Sequence, residues 1–161
     1  MIIIGSDHGG LALKTALNSY LNSRDFEVID AGTTGAESVD YPDFGQKVAE
    51  TVIAGEAELG ILICGTGIGM SIAANKIPGI RAALVTDAFM ARMAKEHNNA
   101  NVLVLGGRVL DEQKACELVG AWLDASFEGG RHQTRLDKIT ALEAKYFKEN
   151  PCLSFPNLIP R

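Results

Sequence analysis

The sequence predicts an α/β protein, a three-layer α/β/α sandwich around a five-stranded parallel sheet, and two observations carry that prediction. Five short apolar runs, most of them rich in Ile, Val and Leu, recur without clean polar alternation, the pattern of strands covered on both faces. Helical periodicity fills the gaps between them, and strand–helix alternation of this kind packs as a parallel sheet with helices on both sides. Length agrees: 161 residues is close to one domain of about 100–200 residues. A core of that size buries roughly two thirds of the unfolded chain's surface.

The elements follow in order. Residues 2–5 form the first strand, and Leu13, Leu17 and Leu21 mark one face of the first helix. Residues 27–30 make the second strand, with Val48 and Val52 on the helix after it. The third strand is 59–64, and its helix carries Ile72, Ala73 and Lys76. The fourth strand, 81–86, leads to a helix over 88–95, and the fifth, 101–105, to one over 111–125 striped by Leu118, Val119 and Trp122. A last helix runs from 131 to 148, closing a domain of residues 1–149. Residues 150–161 carry Pro151, Pro156 and Pro160 and read as a Pro-rich C-terminal arm without regular structure.

Composition excludes several classes. A net charge of −5 and a pI near 5.2 give no support to a nucleic-acid-binding surface. The longest uncharged run, 59–75, is too short for a comfortable membrane span and is broken by four glycines. Met1-Ile2-Ile3-Ile4-Gly5-Ser6-Asp7 has no basic flank and reads as a strand, not a signal peptide. The three cysteines, Cys64, Cys116 and Cys152, suit neither a disulfide framework nor a zinc site, and a reducing cytoplasm is the natural compartment.

In such folds ligands bind beyond the C-terminal ends of the strands. Four unusual segments fall there: Ser6-Asp7-His8-Gly9-Gly10, Cys64-Gly65-Thr66-Gly67-Ile68-Gly69, Thr86-Asp87 and Gly106-Gly107-Arg108. The loop Gly65-Thr66-Gly67-Ile68-Gly69 fails the dinucleotide fingerprint, because Met70 stands where its last glycine belongs. Its successive glycines still let backbone N–H groups turn inward at a helix start, an arrangement suited to a phosphate, a carboxylate or a developing oxyanion. Cys64 closes a buried strand just before that loop, where a thiol can serve as base or nucleophile or remain an inert core residue. Leu62, in place of an elbow glycine, disfavours a thiol hydrolase. His8, His97 and His132 stand where elements meet, and together they favour acid–base chemistry; their spacing gives no metal cluster. Arg131 and Arg135 share a helix face and can grip a phosphate, with Arg108 a third candidate.

These residues resemble the ribose-5-phosphate isomerase B family, which includes galactose-6-phosphate isomerase subunits. The resemblance rests on Gly5-Ser6-Asp7-His8-Gly9-Gly10, on Val39-Asp40-Tyr41-Pro42-Asp43, and on Ile63-Cys64-Gly65-Thr66-Gly67-Ile68-Gly69 continuing through Ser71-Ile72-Ala73-Ala74-Asn75-Lys76. His97-Asn98, Asn101-Val102-Leu103, Gly106-Gly107-Arg108 and Glu128-Gly129-Gly130-Arg131-His132 follow in the family's order, so the match covers residues 1–146 or so.

The resemblance implies a Rossmann-like fold and aldose–ketose isomerisation of ribose 5-phosphate to ribulose 5-phosphate through a cis-enediolate, in the non-oxidative pentose phosphate pathway. It implies no metal and no organic cofactor, and a site shared across a homodimer, often within a tetramer. Carried onto this chain, Cys64 is the base that moves a proton between C2 and C1, Thr66 assists beside it, and His97 opens the furanose ring. Asp7, His8, Tyr41 and Asn98 line the pocket, the enediolate oxygen lies on Gly65, Gly67, Ile68 and Gly69, and Arg108, Arg131 and Arg135 hold the phosphate and substrate. Some members replace the cysteine with a glutamate; the comparable position here is Met70, which cannot act as a base. Two rivals stand beside this reading: a hexose-6-phosphate isomerase of allose or galactose type, and a non-catalytic sugar-phosphate sensor.

Overall fold

A computed structural model describes residues 1–149. The chain divides into two compact units, Met1–Gly129 and Gly130–Arg161. The proposed Pro-rich arm at 150–161, with Cys152, lies outside the described residues.

The first unit is a five-stranded, all-parallel sheet in the order β2-β1-β3-β5-β4, formed by β1 (Ile2–Ser6), β2 (Val28–Asp30), β3 (Leu59–Cys64), β4 (Ala82–Leu84) and β5 (Val102–Gly106). Its helices are α1 (Leu11–Ser23), α2 (Tyr41–Ile53), α3 (Ile68–Ala74), α4 (Ala88–Glu96) and α5 (Glu112–Leu123). Both the α/β class and the five parallel strands agree with the sequence prediction.

Alternation along the central strands sorts the core. Ile2, Ile4, Ile61, Ile63, Leu103 and Leu105 pack on one face with Leu13, Leu17 and Leu21 of α1 and Leu118, Val119 and Trp122 of α5. Ile3, Leu62, Cys64, Val102 and Val104 point to the other face, against Val48 and Ala49 of α2 and Met70 and Ala74 of α3. With apolar residues on both faces, the strands could not show the polar alternation of a half-exposed sheet.

Local signals set the helix starts. The side chain of Asp87 accepts from the Met90 amide at 2.8 Å and that of Asp111 from the Lys114 amide at 2.7 Å, so each caps its helix. Pro42 lies in the first turn of α2, where its missing N–H costs nothing. One expectation is corrected: α3 ends at Ala74 and does not extend to Lys76. The Asn75 side chain bonds both the amide and the carbonyl of Ala82, at 2.9 and 2.8 Å, which draws the chain off the helix and into β4.

The second unit begins with α6 (Arg131–Glu149), close to the span predicted for the last helix. Among the described residues no helix is long and apolar enough to cross a membrane.

Candidate active site

The strand order places β1 beside β3 although α1, β2 and α2 intervene in sequence. The connection from β1 runs to one side and the chain from β3 onward builds to the other, so the C-terminal ends of β1 and β3 form the topological switch point, the place where such sheets bind ligands. Ser6 pairs with Ile63 at the end of that ladder, so the residues that follow, Asp7 and His8 on one side and Cys64 and Gly65 on the other, face each other across it.

Asp7 is buried, and its carboxylate accepts from the Gly10 amide at 3.1 Å, capping a single 3-10 turn at His8–Gly10. His8 is half-buried, and its Nδ1 accepts from the Val39 amide at 3.3 Å, which leaves the ring proton of the neutral imidazole on Nε2. Cys64 is 5% exposed, and its Sγ accepts from the Gly67 amide at 3.2 Å. The Thr66 hydroxyl accepts from the Ile68 amide at 3.4 Å. Among the described residues the amides of Thr66 and Gly69 donate to no protein group, so they remain available to an incoming anion.

Two glycines of this loop sit in close quarters, and one of them is required by its backbone. Gly67 has φ +79°, and a Cβ there would lie 2.5 Å from Leu84 Cδ1. A Cβ on Gly69 would lie 2.5 Å from the Tyr41 ring, so Tyr41, the first residue of α2, rests directly on the glycine loop. Arg108 arrives from β5: its amide donates to the Gly65 carbonyl at 2.9 Å, and its guanidinium stem passes over Gly65. Asp7, His8, Tyr41, Cys64 to Gly69 and Arg108 are therefore gathered at one edge of the sheet. Met70 is fully buried beneath them, in the layer under α2 and α3.

His97 and Asn98 are not part of that gathering within one chain. His97 caps the C-terminus of α4, which runs antiparallel to the strands and ends at the opposite edge. There the Asn98 carbonyl accepts from Arg81, the residue just before β4, at 3.0 Å. Gly60 pairs with Val102 at that end of β3 and Cys64 with Gly106 at the other. Four residues of strand, about 13 Å at 3.3 Å each, separate the two edges. His97 Nε2 stands 3.9 Å from a Glu128 carboxylate oxygen.

In the second unit Arg131 and Arg135 are both exposed, one helical turn apart at the start of α6, and Arg131 Nε lies 3.4 Å from His132 Nε2.

Sequence reasoning missed Lys14. It is 3% exposed, and its ammonium donates to both carboxylate oxygens of Asp30, at 2.7 and 2.8 Å, and to the Thr33 carbonyl at 2.9 Å. The available signal was positional: 14, 17 and 21 share a helix face, so Lys14 had to point inward with Leu17 and Leu21.

Fold and site define an α/β protein that gathers a glycine loop, a thiol, an imidazole and a guanidinium at the switch point of its sheet. A family model described as Ribose/Galactose Isomerase matches residues 2–139. Ribose-5-phosphate isomerase B of Escherichia coli is 48% identical over 144 residues, covering 89% of this chain and 97% of that one. The structure of Clostridium thermocellum ribose-5-phosphate isomerase B superposes with a TM-score of 0.89 at 60% identity, covering 90% of this chain and 98% of the other. That of Mycoplasma genitalium ribose-5-phosphate isomerase B with bound ribulose-5-phosphate gives 0.86 at 45% identity, covering 89% and 96%. The chain belongs to the ribose/galactose isomerase family, as its motifs indicated.

Proposed function

We propose that the protein is an aldose–ketose isomerase that interconverts ribose 5-phosphate and ribulose 5-phosphate. The observation that carries this reading is the Cys64 sulfur, held by the Gly67 amide in a glycine loop that lies with Asp7, His8, Tyr41 and Arg108 at one edge of the sheet. A base and an oxyanion site side by side are what proton transfer next to a carbonyl needs.

In the open-chain aldose, Cys64 takes the C2 proton as a thiolate. The electron pair forms the C1–C2 double bond, and negative charge passes to O1. The thiol returns that proton to C1 while the O2 proton moves to O1, so atoms balance and no oxidant is consumed. The glycine-loop amides stabilise the enediolate, and Thr66 assists beside the reacting carbons. His97 acts earlier, as the acid–base group that opens the furanose. Arg108 holds the substrate beside Gly65, Arg131 and Arg135 offer a paired grip for a phosphate on α6, and neither metal nor organic cofactor takes part.

His97 and Asn98 serve this pocket from a second copy of the chain. The sheet's depth between them and Cys64 supports a homodimer with two shared sites, because no side-chain rotation spans about 13 Å.

The test is a panel of ribose 5-phosphate, allose 6-phosphate and galactose 6-phosphate assayed for ketose formation, with and without EDTA. Turnover of the pentose phosphate, unchanged by EDTA, is expected. Faster turnover of a hexose phosphate, or no ketose from any of them, overturns the assignment.

A further inference from the structure

The strongest polar cluster outside the pocket is the one around Lys14. All three N–H bonds of its ammonium are used, two on Asp30 and one on the Thr33 carbonyl. Asp30 is engaged by two more groups: the Gly32 amide donates to it at 3.0 Å, and Asn18 donates at 2.8 Å. The ammonium is buried while the carboxylate is 40% exposed, so the charge of Lys14 is taken out of water to reach Asp30 and Thr33, and that cost asks for a reason.

Its position supplies one. Asp30 is the last residue of edge strand β2, and the chain beyond it continues alongside β1: the Ala31 amide donates to Ile4 at 2.8 Å and the Thr33 amide to Ser6 at 2.9 Å. Ser6 immediately precedes Asp7 and His8. The Lys14 stem runs so close to Gly32 that a Cβ there would lie 2.7 Å from Lys14 Cδ and 2.6 Å from the Ser6 amide. From Thr33 an exposed loop crosses to Val39, whose amide donates to His8 Nδ1, and two residues later Tyr41 lies against Gly69. One segment, 31–41, thus carries the group that fixes the His8 tautomer and the aromatic ring that walls the pocket. Lys14 ties its beginning, at Thr33, to α1, beside the backbone bonds that join Ala31 and Thr33 to β1.

We propose that Lys14 is a positioning residue for the substrate pocket, holding segment 31–41 so that Val39 orients His8 and Tyr41 closes over the glycine loop. This rests on the isomerase reading for its kinetic consequence, but not for its structural one.

Three variants of the full chain test it. Lys14→Met/Asp30→Asn removes both charges together and strands neither. Asp30→Asn, on a carboxylate 40% exposed, is the milder form should the double variant fail to fold. Val39→Pro deletes the amide hydrogen that His8 accepts and leaves Lys14 untouched. The readouts are the nitrogen-15 NMR shifts of the His8 ring, which report its tautomer without turnover, and KM and kcat for ribose 5-phosphate. In each folded variant the His8 shifts should move from a single Nε2–H tautomer toward a mixture. KM should rise about tenfold for the double variant, the worth of one lost polar contact, with kcat changed much less. A His8 tautomer unchanged in Val39→Pro, or a folded Lys14→Met/Asp30→Asn or Asp30→Asn protein with wild-type His8 shifts and KM, overturns the proposal. If the wild type turns over no ribose 5-phosphate, the functional reading fails by itself, and the His8 shifts still decide the role of Lys14.

Discussion

The Gly67 amide donates to the Cys64 sulfur across 3.2 Å, so the residue that introduces α3 also fixes the thiol that ends β3. Only a residue comfortable at φ +79° can turn its N–H that way at this point of the chain. Glycine loop and thiol are therefore one unit.

Cys64→Ala should lower kcat for isomerisation by about 10³-fold, within the range of a lost general base, and leave the protein folded. Cys116→Ala should keep wild-type activity. Burial, with Glu112 beside it, pushes the Cys116 thiol up, which keeps it protonated and unreactive. Steady-state rates and a thermal melt of both variants check this, and a Cys64→Ala enzyme at wild-type rate refutes the assigned base.

Gly67→Ala and Gly69→Ala should separate stability from activity. At Gly67 the added Cβ meets Leu84 and a left-handed backbone, costing about 1–2 kcal/mol or more. At Gly69 it meets only the far end of the Tyr41 ring, which is 38% exposed and free to swing aside. Denaturant midpoints should fall for the first and hold for the second, while KM rises for the second. Equal midpoints for both would show that the loop does not need its left-handed turn.

Mixing inactive variants tests the shared site. Cys64→Ala and His97→Asn, refolded together in equal amounts, give about half heterodimers by chance, each with one site holding both native residues. Activity should return to about a quarter of wild type. If base and ring-opening group came from the same chain, no activity would return.

The strands were legible because burial on both faces writes continuous apolar runs, and 59–64 was read without error. The glycine loop and the switch-point edge were legible for a related reason: strand ends are the only places where Asp7, His8, Cys64 and Arg108 can be polar and still reach a ligand. Lys14 was missed because a charged residue on an apolar helix face looks like an interruption until its partners, Asp30 and Thr33, are known, and these lie 16 and 19 residues away. The separation of His97 from Cys64 was hidden for another reason. Sequence places both at element ends but does not say which end of the sheet each element reaches; that depends on α4 running antiparallel to the strands.

The Lys14–Asp30 pair makes an acid-stability prediction. Burial pushes the Asp30 carboxyl up, but the bonds from Lys14, Gly32 and Asn18 outweigh it and hold the group below its ordinary value of 3.8. A carboxylate depressed in the folded state adds stability that is fully present above the unfolded-state value and is lost as pH falls through the folded one. Denaturant melts from pH 6 downward should therefore show wild-type stability declining below about pH 4, and Asp30→Asn should be less stable at pH 6 with a shallower decline. Parallel curves for the two proteins would mean that Asp30 titrates alike folded and unfolded.

Arg131 and Arg135 stand one turn apart on an exposed helix face, a spacing that offers two guanidiniums to one phosphate. The phosphate of ribose 5-phosphate is remote from C1 and C2, so its binding energy acts mainly on substrate capture and only in part on positioning the sugar. Arg131→Ala or Arg135→Ala should lower kcat/KM for ribose 5-phosphate about 10- to 100-fold, chiefly through KM. Free ribose has no phosphate to lose, so it should be a poor substrate for the wild type and respond little to either substitution. The measurement is kcat/KM for both sugars in wild type and both variants. A loss with ribose as large as the loss with ribose 5-phosphate would make these arginines supports of the α6 unit and remove them from the phosphate site.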